Sequence, residues 1–211
     1  PAPLVAMTVE RFVDEVSSNS PAPGGGSVAA LAGSLGAALA AMVANLTVGK
    51  AGYESAWVPL SSLADRAQAL KGLLLRAVDD DTKAFDDVLA AMRLPKLTEA
   101  EKRARADAIA AAYEKATAVP LATARLCLEA IELAAEAAAT GNRNSASDAG
   151  VGALLARAGV ESALLNVRIN LPSVREGAFK SACLAEVTEL QAKSAAGLAR
   201  TLAAVEASLA A

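Results

Sequence analysis

The sequence predicts an all-α protein: an antiparallel bundle of six to seven helices, several of them long and dimerising, in a single domain over residues 1–211. Three observations lead there. Hydrophobic residues make up 54% of the chain but aromatics only 3%. The core must then be built from alanine, leucine and valine, which suits closely packed helices better than a sheet, where aromatic and β-branched residues dominate. Apolar residues recur at spacings of three and four along most of the chain, and no segment carries the alternation of a strand. Nothing between Thr8 and Ala207 has the composition of a flexible linker.

Taken in order, Thr8 caps a first helix whose apolar face is Val9, Phe12, Val13 and Val16. Ser20-Pro21-Ala22-Pro23-Gly24-Gly25-Gly26-Ser27 ends it, because the two prolines deny helical continuation. Ser27 reads as the N-cap of a second helix, placing free amide N–H groups at its positive end, where they could grip a carboxylate or polarise a carbonyl. A plain connector whose glycines relieve crowding is the alternative, and a Walker loop is excluded because no Gly-Lys-Ser/Thr follows. In the second helix Ala29, Gly33, Ala37 and Ala41 form a face with almost no side-chain volume, which lets another backbone approach closely. The run is long enough to span a membrane, but its alanine, glycine, Ser34 and Asn45 favour a tightly packed interface, here expected to be that of a homodimer.

Gly49-Lys50-Ala51-Gly52 is a turn. A helix is predicted from Glu54 to Met92, with Pro59 tolerated near its start. Leu94-Pro95-Lys96 ends it, and Thr98 with Glu101 forms a capping box for the next. That helix is expected to run to Ala118, kink or restart at Pro120, and end at Thr140-Gly141. Asn142 to Ser147 is a polar turn, Asp148 to Asn170 a helix with an interruption near Gly159, and Glu176 to Leu209 the last helix, after a break at Leu171-Pro172-Ser173.

A net charge of −3 gives no reason to expect nucleic acid. The opening from Pro1 to Met7 has neither a basic start nor a long apolar segment, so no signal peptide is expected and the predicted location is cytoplasmic. Cys127 and Cys183 sit apart in alanine-rich helical sequence and read as buried, reduced thiols. The chain has no histidine, which removes His-based triads, metal sites and general bases. Acid–base chemistry would fall to carboxylates, Lys, Tyr, Cys or water.

Two places break the helical pattern. In the third helix Leu63, Ala67, Leu70, Leu74, Ala77, Ala84, Val88 and Ala91 form a core-facing seam in which Asp81 takes one position. Its neighbours Asp79 and Asp80 fall at the rim. A carboxylate among alanines has a raised pKa and is a general acid or base, or else a structural group bonded to a helix end or an arginine. Asp148, Gly152, Leu155, Gly159, Ser162, Asn166 and Asn170 form a second stripe, small and polar, which reads either as a ligand pocket between helices or as a polar helix crossing. Asp148 is also placed to be an N-cap.

Five blocks in this order carry a resemblance: Pro-Ala-Pro-Gly-Gly-Gly-Ser-Val-Ala-Ala (21–30), Asp-Thr-Lys-Ala-Phe (81–85), Leu-Pro-Lys (94–96), Gly-Asn-Arg-Asn-Ser-Ala-Ser-Asp (141–148) and Asn-Val-Arg-Ile-Asn-Leu (166–171). Together they resemble the cyclodeaminase/cyclohydrolase family of folate enzymes, across essentially the whole chain. The resemblance implies an all-helical homodimer that acts on a folate with no metal or bound cofactor; from charge and composition, neither nucleic acid nor a membrane is expected as a partner. By position, Asp81 and Asp148 match the family's aspartates and become the expected catalytic pair. Pro23, Gly24, Gly25, Gly26, Ser27, Lys50, Lys96, Asn142, Ser147, Asn166 and Asn170 become the expected substrate-binding residues. One departure stands out: Ala51-Gly52 follow Lys50 where the family often carries bulkier or basic residues, which weakens a basic grip on the folate glutamate tail.

The implied reaction suits these residues. Methenyltetrahydrofolate carries a cationic amidinium whose bridging carbon accepts water, and the adduct needs a proton on one nitrogen to open to 10-formyltetrahydrofolate. A carboxylate near that carbon would stabilise the cation, orient the water and move the proton. Because no formiminotransferase half accompanies the domain, a methenyltetrahydrofolate cyclohydrolase is the expectation. Formiminotetrahydrofolate cyclodeaminase, releasing ammonia, is the alternative, and a non-catalytic helical dimerisation module is a second.

Overall fold

A computed structural model describes residues 3–210; Pro1 and Ala2, part of the opening segment considered above, lie outside the described residues. Six α-helices carry the fold: α1 Val9–Val16, α2 Gly25–Asn45, α3 Trp57–Met92, α4 Glu99–Thr140, α5 Ala146–Asn170 and α6 Ala178–Ala210. No strand occurs among the described residues. The all-α bundle is therefore as predicted, and most helix ends fall where the sequence places them.

Local chemistry sets those ends. Thr8 Oγ1 accepts from Arg11 N–H, capping α1. Thr98 and Glu101 form the reciprocal box at the start of α4. The turn between α2 and α3 needs left-handed backbone at Gly49 (φ +80°) and Gly52 (φ +86°), conformations that glycine reaches without strain. Inside that turn the Trp57 indole N–H donates to Lys50 O at 3.2 Å.

Three expectations fail. Of the α1 face only Phe12 is buried, while Val9 is 84% exposed and Val13 58%, because α1 touches the bundle through a single turn. Pro120 neither breaks nor restarts α4, which is continuous from Glu99 to Thr140. A proline inside a helix orphans the carbonyl four residues before it; here that is Ala116 O, and Asn170 Nδ2 of α5 donates to it at 2.8 Å. Nor does Gly159 interrupt α5.

Gly159 is instead a point of close approach, as is Gly36. A Cβ on Gly159 would lie 2.9 Å from Ala29 O, and one on Gly36 would lie 2.6 Å from Gly152 O. The α2 stripe of Ala29, Gly33, Ala37 and Ala41 is thus buried within the protomer against α3, α4 and α5. This corrects its assignment as a dimer face: its small volume is filled by the chain's own helices at near-backbone distance. Glycine and alanine bring α2 and α5 together without large side chains between them. Gly33 and Gly159 both face the Cys127 sulfur, and burial pushes that thiol up to about 12. Cys183 is also buried, and both thiols are free.

The helices alternate in direction from α2 to α5. Gly25 of α2 lies by Asn166 of α5 and Gly36 by Gly152, while Asp87 of α3 pairs with Lys115 of α4 and Arg66 with Glu136. The outermost helix, α6, runs along α4 and α5. At one end of the bundle, therefore, the start of α2, the late turns of α3, the middle of α4 and the end of α5 converge.

Candidate active site

Asp81 stands at that convergence. Helix α2 begins at Gly25 with Gly24 as its N-cap, and Ser27, predicted to be the cap, lies fully buried in the first turn. Its hydroxyl donates to Val78 O at 2.7 Å and lies 3.3 Å from Asp81 Oδ2. The Ser27 backbone N–H also reaches the Asp81 carboxylate. The positive end of α2 does grip a carboxylate, as the sequence suggested, but the carboxylate belongs to the protein itself. Gly26 makes this contact feasible, since a Cβ there would fall inside the Asp81 carboxyl group.

Asp81 is half-buried. Burial raises its pKa above the ordinary 3.8, and the Ser27 hydroxyl and backbone N–H offset part of that rise. Its neighbours behave as rim residues: Asp80 pairs with Lys83 at the surface, and Asp79 accepts from Leu4 N–H at 2.7 Å.

Beside Asp81 opens a cavity of about 370 Å³. Gly24 and Gly25 form one wall, Phe85 and Val88 of α3 another, Tyr113 and Ala116 of α4 a third, and Asn166, Ile169 and Asn170 of α5 the fourth. Asp81 is the one carboxyl side chain among those lining it, and no lysine or arginine joins it there. The volume falls in the range of ordinary small-molecule sites.

The other predicted site residues lie elsewhere in the protomer. Lys50 Nζ donates to Asn142 Oδ1 at 2.7 Å, and Lys50, Asn142 and Ser147 line a cleft of about 430 Å³ with Tyr53 and Arg143. Asp148 sits beside it in the first turn of α5, partly exposed. Along α5 the eighteen residues from Asp148 to Asn166 span about 27 Å. Asp81 and Asp148 therefore belong to opposite ends of one protomer. The stripe read as a single pocket is divided accordingly: Gly152 and Gly159 press on α2, and only Asn166 and Asn170 reach the cavity. Lys96 is exposed in the link between α3 and α4 and lines neither space, and Pro23 is buried under the loop. Sequence reasoning overlooked Tyr113, and it listed Phe85 only as part of a motif. Their scarcity was the available signal, since the chain has only three Phe, two Tyr and one Trp.

A helical bundle of this sequence and fold has known counterparts. The chain belongs to the formiminotransferase-cyclodeaminase family, whose model matches residues 8–189. It is 44% identical over 189 residues to a methenyltetrahydrofolate cyclohydrolase of Methylorubrum extorquens, covering 90% of this chain and 91% of that one. It is 39% identical to the formimidoyltransferase-cyclodeaminase of Sus scrofa over 92% of this chain, but spans only 36% of that larger protein. A solved structure titled formiminotetrahydrofolate cyclodeaminase, from Thermotoga maritima, superposes with a TM-score of 0.86 at 28% identity, covering 96% of this chain and 97% of that one. Chain length therefore does not separate the two activities.

Proposed function

We propose that this protein hydrolyses 5,10-methenyltetrahydrofolate to 10-formyltetrahydrofolate, with Asp81 as the group that faces the reacting carbon. The observation that carries this reading is the lone carboxylate beside a cavity without a basic side chain. Such a site suits a cationic amidinium better than a neutral or anionic ligand. Ionised, Asp81 stabilises the cation and orients the attacking water; having taken a proton, it returns it to the departing nitrogen. The Ser27 hydroxyl can serve both charge states, as donor to the carboxylate or acceptor from the carboxylic acid. The greater identity to a cyclohydrolase, over nearly all of both chains, favours water attack over ammonia release.

The reaction is proposed to need no resident metal. No histidine is encoded, and among the described residues no three of Cys, Asp or Glu stand together as a ligand set.

The active unit is proposed to be a homodimer, paired through a face different from the small-residue stripe. The outer sides of α2 and α5 expose Leu35, Met42, Leu46, Leu154, Leu165 and Ile169, the last at 75%. Ile169 also lines the cavity, so that face adjoins its mouth. A two-fold axis perpendicular to these helices would set the Lys50–Asp148 end of one protomer against the Asp81 end of its partner. Each site would then draw Asp81 from one copy and Asp148 from the other, with the folate tail directed to the partner's lysine turn.

Mixing Asp81→Asn with Asp148→Asn tests both readings. Either variant alone should be inactive in loss of the methenyl chromophore. Re-associated mixtures should recover about a quarter of the wild-type rate, because half the dimers are mixed and each of those holds one intact site. No recovery rejects the shared site. Ammonia release from formiminotetrahydrofolate faster than methenyl hydrolysis replaces the cyclohydrolase reading with the cyclodeaminase one.

A further inference from the structure

We infer that Phe85 and Tyr113 clamp the flat pyrimidine half of the ligand's bicyclic ring, and that Asn166 and Asn170 read its N–H-bearing edge. This rests on the folate reading above and specifies which part of the substrate enters the cavity.

Two of the few aromatic side chains in the molecule line this one space, from adjacent helices. Phe85 lies one helical turn beyond Asp81, so a ring against its face sits next to the carboxylate. Tyr113 lines the same cavity from α4. Phe85 belongs to no core cluster, and Tyr113 packs at the edge of a small one around Val88, Ala91 and Ala112 while still lining the cavity. Aromatic faces with an apolar floor of Ala116 and Val88 favour a planar heteroaromatic ligand.

The amides supply direction. Asn166 Nδ2 donates to Ser162 O at 2.9 Å and Asn170 Nδ2 to Ala116 O at 2.8 Å. Carbonyl oxygens can only accept, so these bonds fix which end of each amide is the NH2 group. Both Oδ1 atoms then point away from their tethers, with no donor reaching them among the described residues. Because no buried side-chain polar atom there lacks a partner, these two oxygens are open to solvent. Two acceptors one turn apart match a ring edge bearing adjacent donors, as in the 2-amino-4-oxopyrimidine ring of a reduced folate, where N3–H and the 2-amino group lie side by side. The p-aminobenzoyl ring has no such edge. The Pro120–Ala116–Asn170 arrangement gains a purpose here: the proline frees a carbonyl, and that carbonyl holds Asn170 in its acceptor orientation.

Binding of 5-formyltetrahydrofolate and of its 2-desamino counterpart to the intact protein, measured by calorimetry, tests the assignment. Wild type should prefer the amino compound by about tenfold or more, since losing the donor leaves an acceptor unpaired. Of Asn166→Leu and Asn170→Leu, the latter combined with Pro120→Ala so that Ala116 O regains a helical partner, the one that removes the acceptor facing the 2-amino group should erase that preference, and the other should weaken both compounds alike. Phe85→Leu and Tyr113→Leu should weaken both compounds equally, by about tenfold each. Unchanged melting temperatures would show that the variants fold. Wild-type affinity in the Phe85→Leu and Tyr113→Leu variants would overturn the clamp while leaving turnover by Asp81 intact. Equal binding of the two compounds by wild type would overturn the edge reading. A wild type that binds neither compound removes the folate reading, and this assignment with it.

Discussion

Asp81 combines a burial that opposes its charge with a helix start that favours it, and burial prevails. Its folded pKa lies above its unfolded value, so its contribution to stability is fully present below pH 3.8 and is lost as pH rises through the higher folded value. Above that folded value the ionised group is a cost to the fold. Asp81→Asn should therefore keep or raise the thermal midpoint at pH 7, while turnover falls by about 10² to 10⁴. Asp79→Asn should retain turnover, because Asp79 serves only the Leu4 N–H; equal losses at both positions would place catalysis elsewhere. With ionised Asp81 as the working form, kcat/KM should decline as pH falls towards its raised pKa, and that inflection should vanish in Asp81→Asn. Gly26→Ala should lower turnover about 100-fold by displacing the carboxylate, with circular dichroism unchanged. The aspartate was legible in the sequence because helical spacing alone turns position 81 inward and positions 79 and 80 outward. The Ser27 contacts were not legible, since they depend on where α2 begins relative to α3, which no local pattern contains.

The packing of α2 on α5 shows what small residues accomplish between helices. Their backbones approach so closely at Gly36 and Gly152 that either glycine's replacement meets a carbonyl or backbone neighbour. Gly33→Leu should destabilise the protomer by about 3 kcal/mol or more through overpacking against Cys127 and Leu74. Denaturant titration should reveal this as a lower midpoint at every protein concentration; a loss seen only on dilution would return the stripe to a subunit interface. The sequence displayed the stripe plainly, but a stripe specifies only that something comes close, and both a second helix and a second copy satisfy that. Pro120 was misread for a related reason. Its cost to α4 is met by Asn170, fifty residues away, whose amide was visible in the sequence while its target was not. Pro120→Ala should restore an N–H to Ala116 O and stabilise α4. Asn170→Leu alone should cost about 1 kcal/mol through the unpaired carbonyl, and less in the Pro120→Ala background, measured as a double-mutant cycle.

The cavity beside Asp81 and the cleft beside Lys50 lie at opposite ends of the bundle, about 27 Å apart along α5 between Asp148 and Asn166, and one apolar side runs between them. Leu35→Lys with Leu154→Lys should give a monomer by light scattering that retains its helical content and loses turnover; an active monomer would show that one protomer suffices. The overall architecture was legible because composition, helix spacing and caps agree. The separation of the two ends was hidden, since motifs adjacent in a family pattern carry no distance. The indole of Trp57, tied to Lys50 O, has a consequence for following assembly in solution. It is the only tryptophan in the chain, and it reports on the lysine turn, far from its own protomer's Asp81. In an isolated protomer, a ligand entering beside Asp81 should leave its emission untouched. In a head-to-tail pair the same ligand would arrive next to the partner's fluorophore, and the spectrum would shift. A single optical signal would thus count subunits and occupied sites at once, without labelling either.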